Sequence, residues 1–564
     1  MSDLMSLWAA KKWPGIPREI DIPDESLLEA LDRAARAWPD RVAIDFMGEA
    51  TTYRELWKAV ARAASVLEGY GIRKGDRVAI SLPNCTSHMV AFYAALRLGA
   101  IVVEVNPTLS ASEIEFEMED SGAVLLLAWE HTLERLGPSP NGRPFVSIAV
   151  DLSADLPRIK RLALRLPIAK ARHTRAQLCS DALPDVPRWH NLVAAALPLD
   201  PSHPRPVSKD VALLQYTGGT TGTPKAAVLT HRNVVANALM GEVWTGVRPG
   251  TEVVYGVLPF FHAFGMMLCL VYSVRVGATL VAFPKFSAAE VLAAQKRRPG
   301  TFLPAVPPML EKIADAAEGT GADLSSFKVS LSGAMALPPE TAARWEALTG
   351  GMVVEGYGMT ESSPVAVGNP LSSARRPGTL GIPFPSTEVR IVDPEDTSRD
   401  VPQGESGELL VQGPQVFQGY WNRPEETASQ LLPGGWLRTG DIVQVSPSGH
   451  IALVDRIKEI IITGGFNVYP SQVEDRLREM PGVRDVAVVG LPGGRMGEDV
   501  VAAIVVEEGH ALPDLAAVRE WCGAKLAKYA LPGRIVFLPD LPRSQIGKVL
   551  RRVVRAGLLA APSA

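Results

Sequence analysis

The sequence of 564 residues has few cysteines, no long uninterrupted apolar run and little net charge. Its four cysteines are scattered along the chain, which excludes a disulfide framework or a metal knuckle and fits a reducing compartment. The net charge of −4 supplies no general positive field, so nucleic acid is not expected as a partner. The most apolar stretch, residues 266–283, is interrupted by Arg275 and Gly277. It is therefore too broken for a membrane span of about 20 residues.

Targeting signals are also lacking at both ends. The N-terminal segment carries an acid early, at Asp3, and no long apolar stretch, so no secretion signal is predicted. The C-terminal residues APSA match no peroxisomal or endoplasmic-reticulum retention signal. Together with the sparse cysteines, these features predict a cytoplasmic protein.

Helical and strand-like segments alternate from residue 26 to about residue 105, and again from residue 209 to about residue 455. TTYRELWKAVARAASVLEGYG, for example, begins with a threonine cap and has helical apolar spacing, whereas DRVAISLP is typical of a buried strand. Strands separated by helices of this length indicate mostly parallel sheets covered on both faces. We therefore predict an α/β fold with a large N-terminal domain over residues 1–455, which ends in a β-rich subdomain.

The pattern changes beyond residue 455. VEDRLREMPGV and LAAVREWCGAKLAKY have helical spacing, and RDVAVVGLP and EDVVAAIVVEE are typical of strands. This succession predicts a small, mobile α+β domain over residues 456–564. The joint between the two domains is expected near DRIKE, residues 455–459.

A surface insertion is predicted over residues 135–206, where eleven prolines interrupt the α/β rhythm. Inside it, residues 156–175 carry seven Lys or Arg and no acid. Two interpretations remain open for this basic segment. It is either an amphipathic patch that contacts the anionic inner face of a membrane, or a solvated helix in a surface insertion. Pro167 interrupts any long membrane-binding helix and favours the second interpretation.

A glycine- and threonine-rich loop, YTGGTTGTPKAA (216–227), follows the strand-like run VALLQ. Successive backbone N–H groups in such a loop can bind phosphate oxygens, and Lys225 adds a cation. The Walker A pattern requires Gly-Lys-Ser/Thr, whereas Thr223 and Pro224 precede this lysine and an alanine follows it. The loop also lacks the G-x-G-x-x-G of a dinucleotide site. It predicts phosphate binding of another type, with a glycine-rich turn as the alternative.

The loop resembles the phosphate-binding signature of the acyl-adenylate-forming superfamily, which includes acyl- and aryl-CoA ligases, luciferases and peptide-synthetase adenylation domains. Five further segments match this superfamily in the same order, from about residue 26 to about residue 555. They are LSGAMALPPE (331–340), EGYGMTESSP (355–364), GWLRTGDI (435–442), DRIKEIIITGGFNVYPSQVE (455–474) and PRSQIGKVLRR (542–552).

The resemblance implies a reaction in two halves, with ATP, Mg²⁺ and coenzyme A. A carboxylate attacks the α-phosphorus of ATP to give acyl-AMP and pyrophosphate, and the thiol of coenzyme A then displaces AMP to give a thioester. Because the first half brings an anion to a polyanion, it needs positive charge where negative charge accumulates. Lys548 matches the lysine that bridges the carboxylate and the α-phosphate. Glu361 matches the carboxylate that helps to hold Mg²⁺, with Thr217 and Thr360 as hydroxyl partners.

Other residues are assigned by the same resemblance. His262, packed by Phe260, Phe261 and Phe264, borders the acyl site, with a satisfied core histidine as the alternative. Asp441 accepts hydrogen bonds from the ribose hydroxyls, with a turn-forming Gly-Asp as the alternative. The full implied ATP- and AMP-binding set is Thr217, Gly218, Gly219, Thr220, Thr221, Gly222, Lys225, Gly333, Ala334, Glu355, Gly356, Tyr357, Gly358, Thr360, Asp441 and Arg456.

A domain rotation between the two half-reactions is also implied. Lys458 falls at the hinge position. Gly464, Gly465 and Phe466 border the channel for the pantetheine arm of coenzyme A, with an ordinary tight turn as the alternative for the glycine pair.

The sequence departs from the superfamily pattern in small ways: Ser544 stands where threonine is usual, and two alanines follow Lys225 where Lys-Gly is usual. The TGGTTG loop, LPFFHAFGM (258–266) and the long insertion look most like bacterial medium- to long-chain fatty acid–CoA ligases. An aryl-CoA ligase, an acyl-AMP ligase that loads a carrier protein, and a non-catalytic lipid- or nucleotide-binding protein remain as alternatives. We expect small-molecule partners and, as an alternative to a monomer, a homodimer.

Overall fold

The computed structural model describes residues 8, 13, 15–137, 144–180, 183, 185–217, 224–463, 466–493, 497–544 and 547–560. The chain forms two compact units. The large unit comprises residues 12–388 and 412–437, and the small unit is built mainly from residues 389–411 and 438–564. The boundary predicted between residues 455 and 456 stays a prediction, since strands on both sides of it belong to the small unit.

The first sheet of the large unit has six strands, of which five are parallel and the last is antiparallel. In spatial order they are Val146–Val150, Leu125–Trp129, Arg77–Ser81, Ile101–Glu104, Val211–Thr217 and Lys225–Thr230. Apolar runs such as LLLA and IVVE are buried along their length, as is typical of a parallel sheet with both faces covered.

The second sheet of the large unit has nine strands with a parallel centre of six and antiparallel strands at both edges. In spatial order they are Ile382–Pro383, Val365–Gly368, Met352–Gly358, Val329–Ser332, Phe302–Ala305, Val253–Gly256, Thr279–Ala282, Val42–Phe46 and Glu49–Thr52. The predicted α/β class with mostly parallel sheets is confirmed.

Helices of the large unit begin at local sequence signals. The side chains of Ser26 and Thr52 each accept a hydrogen bond from the backbone N–H three residues on. The glutamate at that position accepts one from the backbone N–H of the serine or threonine, which completes a capping box. The helices are Leu27–Ala37, Tyr53–Gly69, Thr86–Arg97, Ala111–Ser121, Glu130–Leu136, Arg158–Ala163, Ala169–Leu178, Trp189–Ala195, His231–Thr245, Ala263–Gly265, Tyr272–Arg275, Ala288–Arg297, Pro307–Thr320, Pro339–Thr349 and Pro424–Gln430. Shorter 3-10 turns span Leu152–Asp155 and Thr360–Ser362.

The small unit contains two groups of strands. Glu388–Val392, Ser406–Gln412, Trp436–Val445 and Ile451–Arg456 are neighbours in that order, and Trp436–Val445 begins in the large unit, where it pairs with Leu431–Leu432. The other sheet consists of Phe466–Val468, Ile461–Thr463, Gly497–Val506, Val483–Gly493 and Arg534–Phe537. Its helices are Pro470–Arg478, Leu515–Gly523 and Arg551–Ala560, with 3-10 turns at Ile457–Glu459 and Lys528–Ala530. The predicted α+β composition agrees with this.

The stretch predicted as a surface insertion, residues 135–206, contains a strand of the first sheet. Val146–Val150 lies inside it, yet this strand pairs in parallel with Leu125–Trp129 and forms the edge of the first sheet. The basic segment forms two short helices separated at Pro167, as the proline predicts. The apolar stretch 266–283 forms a π-helix, Met266–Val271, followed by a helix and a strand. Within the described residues, no helix combines the length and apolar character needed to cross a bilayer.

Candidate active site

Three parallel strands of the second sheet end side by side. Ala305 pairs with Ser332, and Ser332 pairs with Glu355, so the residues that follow each strand meet at one edge. Gly333 and Ala334 come directly after one strand, and Glu355–Gly358 end the next. Ligands of open α/β sheets bind at this carboxyl edge. The structure therefore brings together two of the predicted nucleotide-binding segments.

Close approaches explain why small residues stand here. A Cβ added to Gly333 would lie 2.8 Å from Cζ of Phe264. A Cβ on Gly358 would lie 1.8 Å from the backbone oxygen of Pro364, where no side chain fits. Ala334 has φ +66°, a left-handed conformation that is uncommon for residues other than glycine. Such strained positions cluster at ligand sites.

Glu355 is held by the loop that follows the same sheet. Its carboxylate accepts hydrogen bonds from Nδ2 of Asn369 at 3.0 Å and from the backbone N–H of Gly378 at 2.9 Å. Burial raises the pKa of Glu355, which these two bonds oppose. Tyr357, two residues on, pairs with Val367 in the neighbouring strand. The carboxylate of Glu355 therefore connects the strand predicted to bind the nucleotide to the loop at 369–379.

The loop predicted to bind phosphate is flanked on both sides by one pair of strands. Thr217 ends its strand and pairs with Lys225, the first residue of the next strand. The predicted phosphate-binding residues between them, Gly218, Gly219, Thr220, Thr221 and Gly222, lie outside the described residues. The 3-10 turn Thr360–Ser362 packs against both flanking strands. The strands that carry Thr217 and Lys225 are thus neighbours of the turn that carries Thr360 and Glu361, and the roles assigned to these residues stay predictions.

Glu361 is 6% exposed and accepts a 2.6 Å hydrogen bond from the hydroxyl of Tyr420. The ammonium group of Lys225 lies 5.4 Å from the centre of the Tyr420 ring, within the range of a cation–π contact. Burial, with the Glu361 charge adding to it, raises the pKa of the Tyr420 hydroxyl well above its usual value. The phenol is therefore a permanent hydrogen-bond donor to this carboxylate.

Tyr420 was not predicted from the sequence. Its segment lies along the strand Lys225–Thr230: Val228 exchanges hydrogen bonds with Gln418 and Gly419, and the N–H of Trp421 donates to the oxygen of Ala226. This pairing joins parts of the chain almost 200 residues apart, and no local spacing signals it. A tyrosine after a glycine in GYWNRPEE carries no distinguishing pattern of its own.

The segment LPFFHAFGM is fixed by one side chain from the loop that follows the strand Arg77–Ser81 and by one from the strand Val211–Thr217. Asn84 donates to the backbone oxygens of Gly256 and Leu258 and accepts from the N–H of Phe260, all within 3.0 Å. Gln215 donates to the oxygen of Phe261 at 2.7 Å. Because Gln215 lies two residues before Thr217, the strand that contacts the predicted acyl segment also leads into the loop predicted to bind phosphate.

His262 follows directly in this segment. Its Nδ1 accepts a hydrogen bond from the N–H of Phe264 at 3.3 Å, so the imidazole caps the turn that places the Phe264 ring. Burial lowers the pKa of His262 to about 4, which leaves the ring neutral at physiological pH. His262, Phe264 and Gly333 thereby form a continuous series of contacts from the acyl segment to the nucleotide edge.

The small unit contains Lys548, predicted as catalytic, and Asp441 and Arg456, predicted to bind the nucleotide. Asp441 and Arg456 pair across antiparallel strands, with Oδ1 of the aspartate 2.9 Å from Nε of the arginine. Burial and the nearby Arg456 lower the pKa of Lys548 to about 8, while Glu459 and Asp441 oppose the shift. Lys548 itself lies in a turn in which Ser544 accepts from its backbone N–H at 3.1 Å. The structure thus groups Lys548, Asp441 and Arg456, which the motifs had placed far apart in sequence.

The remaining predicted residues are those of the hinge and of the coenzyme A channel. Lys458 is exposed in the 3-10 turn Ile457–Glu459. Gly464 and Gly465 lie outside the described residues, and Phe466 begins the strand Phe466–Val468. The roles assigned to these residues stay predictions.

Comparison with known proteins shows the family of the chain. Residues 31–421 match the AMP-binding enzyme family, and residues 472–548 match the C-terminal domain of the same enzymes. A long-chain-fatty-acid–CoA ligase of Bacillus subtilis is 36% identical over 97% of this chain and 97% of its own length. A feruloyl-CoA synthase of an Amycolatopsis species is 34% identical over 93% of this chain and 97% of its own.

A solved structure shows the same fold. The ATP-bound MatB of Rhodopseudomonas palustris superposes with a TM-score of 0.78 at 27% identity, over 94% of this chain and 99% of that one. With both of its domains matched and a relative similar over nearly the whole length, this chain belongs to the AMP-binding enzyme family, as its ordered motifs predict.

Proposed function

We propose that the protein is an ATP-dependent fatty acid–CoA ligase that acts on medium- to long-chain acids. It converts a carboxylate and ATP to acyl-AMP and pyrophosphate, and then transfers the acyl group to coenzyme A with release of AMP. The observation that carries the proposal is the similarity to the Bacillus subtilis ligase, which covers 97% of both chains. The more general prediction, an AMP-forming acyl-CoA synthetase that uses ATP and coenzyme A, is confirmed by the family and its relatives.

The first half-reaction requires cations around a polyanion. Lys225, at the end of the phosphate loop, is placed to neutralise the β- and γ-phosphates. Lys548 supplies charge to the attacking carboxylate and the α-phosphate, and Asp441 accepts from the ribose hydroxyls. Arg456, which pairs with Asp441 at 2.9 Å, orients that carboxylate.

Magnesium fits the donor set near the loop. A buried carboxylate, Glu361, and the hydroxyls of Thr217 and Thr360 are hard oxygen donors, which together with ATP oxygens suit this ion. When bound, the ion would neutralise the phosphate charge that develops as pyrophosphate leaves. The protein's own part is to hold the Glu361 carboxylate in one orientation.

The second half-reaction needs a different arrangement of the small unit. We propose that Lys458 is the hinge and that Gly464, Gly465 and Phe466 border the pantetheine arm of coenzyme A. Rotation at this point would withdraw Lys548 once acyl-AMP has formed. The domain division at residues 455 and 456 follows from the same proposal.

The identity of the acid is the finer part of the proposal, and one test decides it. Acid-dependent ATP–pyrophosphate exchange would be measured from acetate to oleate, with benzoate and coumarate, and thioester formation measured when coenzyme A is added. Exchange that peaks between C8 and C18 with thioester formation is the expected result. A peak at the aromatic acids would establish an aryl-CoA ligase instead, an alternative that the similarity to the Amycolatopsis enzyme supports.

We also propose that the basic segment 156–175 contacts an anionic membrane surface. The helix Arg158–Ala163 buries none of its residues, and Ile159 is 82% exposed and Leu162 63% exposed. Three cations lie beside these apolar groups in the helix, and the segment 156–175 as a whole has seven cations and no acid, a composition that favours contact with anionic lipid. Co-flotation with vesicles of phosphatidylglycerol, but not of phosphatidylcholine, is the expected result. If the protein floats with neither kind of vesicle, the segment is a solvated surface.

A homodimer remains a prediction. Sedimentation velocity of the purified chain over a range of concentrations would test it.

A further inference from the structure

Tyr420 contacts two predicted site charges of opposite sign. Its hydroxyl donates to Oε1 of Glu361 at 2.6 Å, and its ring receives the Lys225 ammonium at 5.4 Å from the ring centre. Glu361 is the predicted magnesium carboxylate, and Lys225 is the predicted phosphate cation. A single side chain therefore links the two groups that must act on the same triphosphate.

The position of Tyr420 is fixed from several sides. Its backbone N–H donates to Oγ1 of Thr427 at 2.8 Å, and its ring meets that of Phe417 edge to face at 5.0 Å. On the other side, Ala227 and Tyr420 form a bridge between the strand that begins at Lys225 and the segment 416–421. A ring held this firmly can impose its geometry on flexible partners such as a lysine and a glutamate.

Opposite charges left close together in a partly buried site pair with each other. A Lys225–Glu361 ion pair would have to break before the lysine could meet phosphate and the carboxylate could meet a cation. The phenol satisfies both groups without joining them: its hydroxyl occupies one carboxylate oxygen, and its π-face attracts the ammonium.

We propose that Tyr420 is a positioning residue that holds Glu361 and Lys225 apart and oriented, the first for a divalent cation and the second for phosphate. The proposal rests on the roles given to these two residues above. It assigns separate contributions to two parts of one side chain, the hydroxyl for the metal and the ring for the lysine. Substitution can therefore separate them.

The test measures binding rather than turnover. Mn²⁺ would be titrated into the enzyme with a non-hydrolysable ATP analogue and followed by electron paramagnetic resonance, and metal-free binding of the analogue would be measured by calorimetry. In Tyr420→Phe we expect Mn²⁺ affinity to fall about tenfold, because partners of metal ligands typically contribute that much. Metal-free binding of the analogue should change less than about twofold, since the ring remains. Tyr420→Leu should weaken both.

Tyr255→Phe is the matched control. It also removes a buried phenol hydroxyl, one that donates to the backbone oxygen of Arg298 at 2.8 Å, and Tyr255 lies in the second sheet, whereas Lys225 lies in the first. Wild-type Mn²⁺ affinity in Tyr420→Phe, or an equal loss in Tyr255→Phe, would overturn the proposal. If Tyr420→Leu fails to fold, the more conservative phenylalanine variant alone decides. The binding assay contains neither acid nor coenzyme A, so its result is independent of whether the proposed fatty-acid specificity holds.

Discussion

Arg551 and Glu474 form a two-point contact, Nε to Oε1 at 2.7 Å and Nη2 to Oε2 at 2.6 Å. The same guanidinium contacts Glu459 and donates to Oγ of Ser471 at 2.8 Å. Glu459 directly follows Lys458, and Asp455, on its other side, accepts from the N–H of Ser471 at 2.8 Å. One flank of the predicted hinge, Asp455, is therefore attached directly to the helix Pro470–Arg478, and the other, Glu459, is attached to it through Arg551. A rotation at Lys458 must break at least one of these attachments.

Arg551→Met should destabilise the protein by about 3 kcal/mol, because it leaves the nearly buried Glu474 carboxylate with only the longer contact to Arg478, at 3.3 Å. Chemical denaturation with a probe in the small unit would measure this. Arg552→Met is the matched control: the neighbouring arginine is exposed, and its loss should cost less than about 0.5 kcal/mol. Equal effects of the two substitutions would contradict the role given to the Arg551–Glu474 contact.

Lys548→Ala should separate the two half-reactions. Pyrophosphate release from ATP and acid should nearly disappear, because no other charge takes the place of the ammonium at the attacking carboxylate. Thioester formation from supplied acyl-AMP and coenzyme A should remain largely intact. Both would be measured on the same preparation, with exposed Lys528→Ala as the control. Equal loss in the two assays would show that Lys548 is not specific to the first step.

The first half-reaction should slow as pH rises through about 8. Burial and Arg456 lower the pKa of Lys548 to about 8, and only the protonated amine, present below that value, carries the required charge. Thioester formation from acyl-AMP should lack this descending limb. Arg456→Gln should move the midpoint to higher pH, since it removes a neighbouring cation and frees the Asp441 carboxylate. Rates of both half-reactions between pH 6.5 and 9.5 would test this. The same fall in rate at high pH in both half-reactions would contradict it.

Much of the fold could be predicted because its signals are local. Ser26 and Thr52 cap helices through residues three positions away, and the alternation of buried strands with helices predicts parallel sheets. The strand Val146–Val150 was missed because the prolines around it indicate a loop, and only its pairing with Leu125–Trp129 reveals it. The helix predicted to reach residue 529 ends at Gly523, where glycine weakens continuation.

The residues of the site likewise fall into those that a local motif predicts and those that only long-range contacts reveal. Glu361 and Lys548 lie in motifs that specify them by sequence alone, and the structure places each beside other predicted residues. Tyr420 could not be predicted, since its contact with Glu361 depends on the segment 416–421 lying along a distant strand. Neither could the clamp of Arg551 on Glu474 and Glu459, which requires three separate elements to meet.

His262→Ala should raise the KM for the acid about fivefold to tenfold and leave the KM for ATP nearly unchanged. The imidazole accepts from the N–H of Phe264, and loss of such a cap typically costs about 1 kcal/mol. His262→Asn should restore most of the loss, because asparagine is an equally good cap. Failure of asparagine to restore the KM would indicate that the ring itself contacts the acid.

Gly333→Ala should weaken binding of both nucleotide and acid, because the added methyl group would lie 2.8 Å from Cζ of Phe264 and must displace that ring. Phe264→Leu shortens the side chain at the point of contact. The double variant should therefore bind the acyl-adenylate better than Gly333→Ala alone, with a coupling of about 1 kcal/mol or more in a double-mutant cycle. Calorimetry with a non-hydrolysable acyl-adenylate analogue would measure the four proteins. Additive effects would mean that the methyl group meets the nucleotide rather than Phe264, and would place adenine, not the acyl segment, against Gly333.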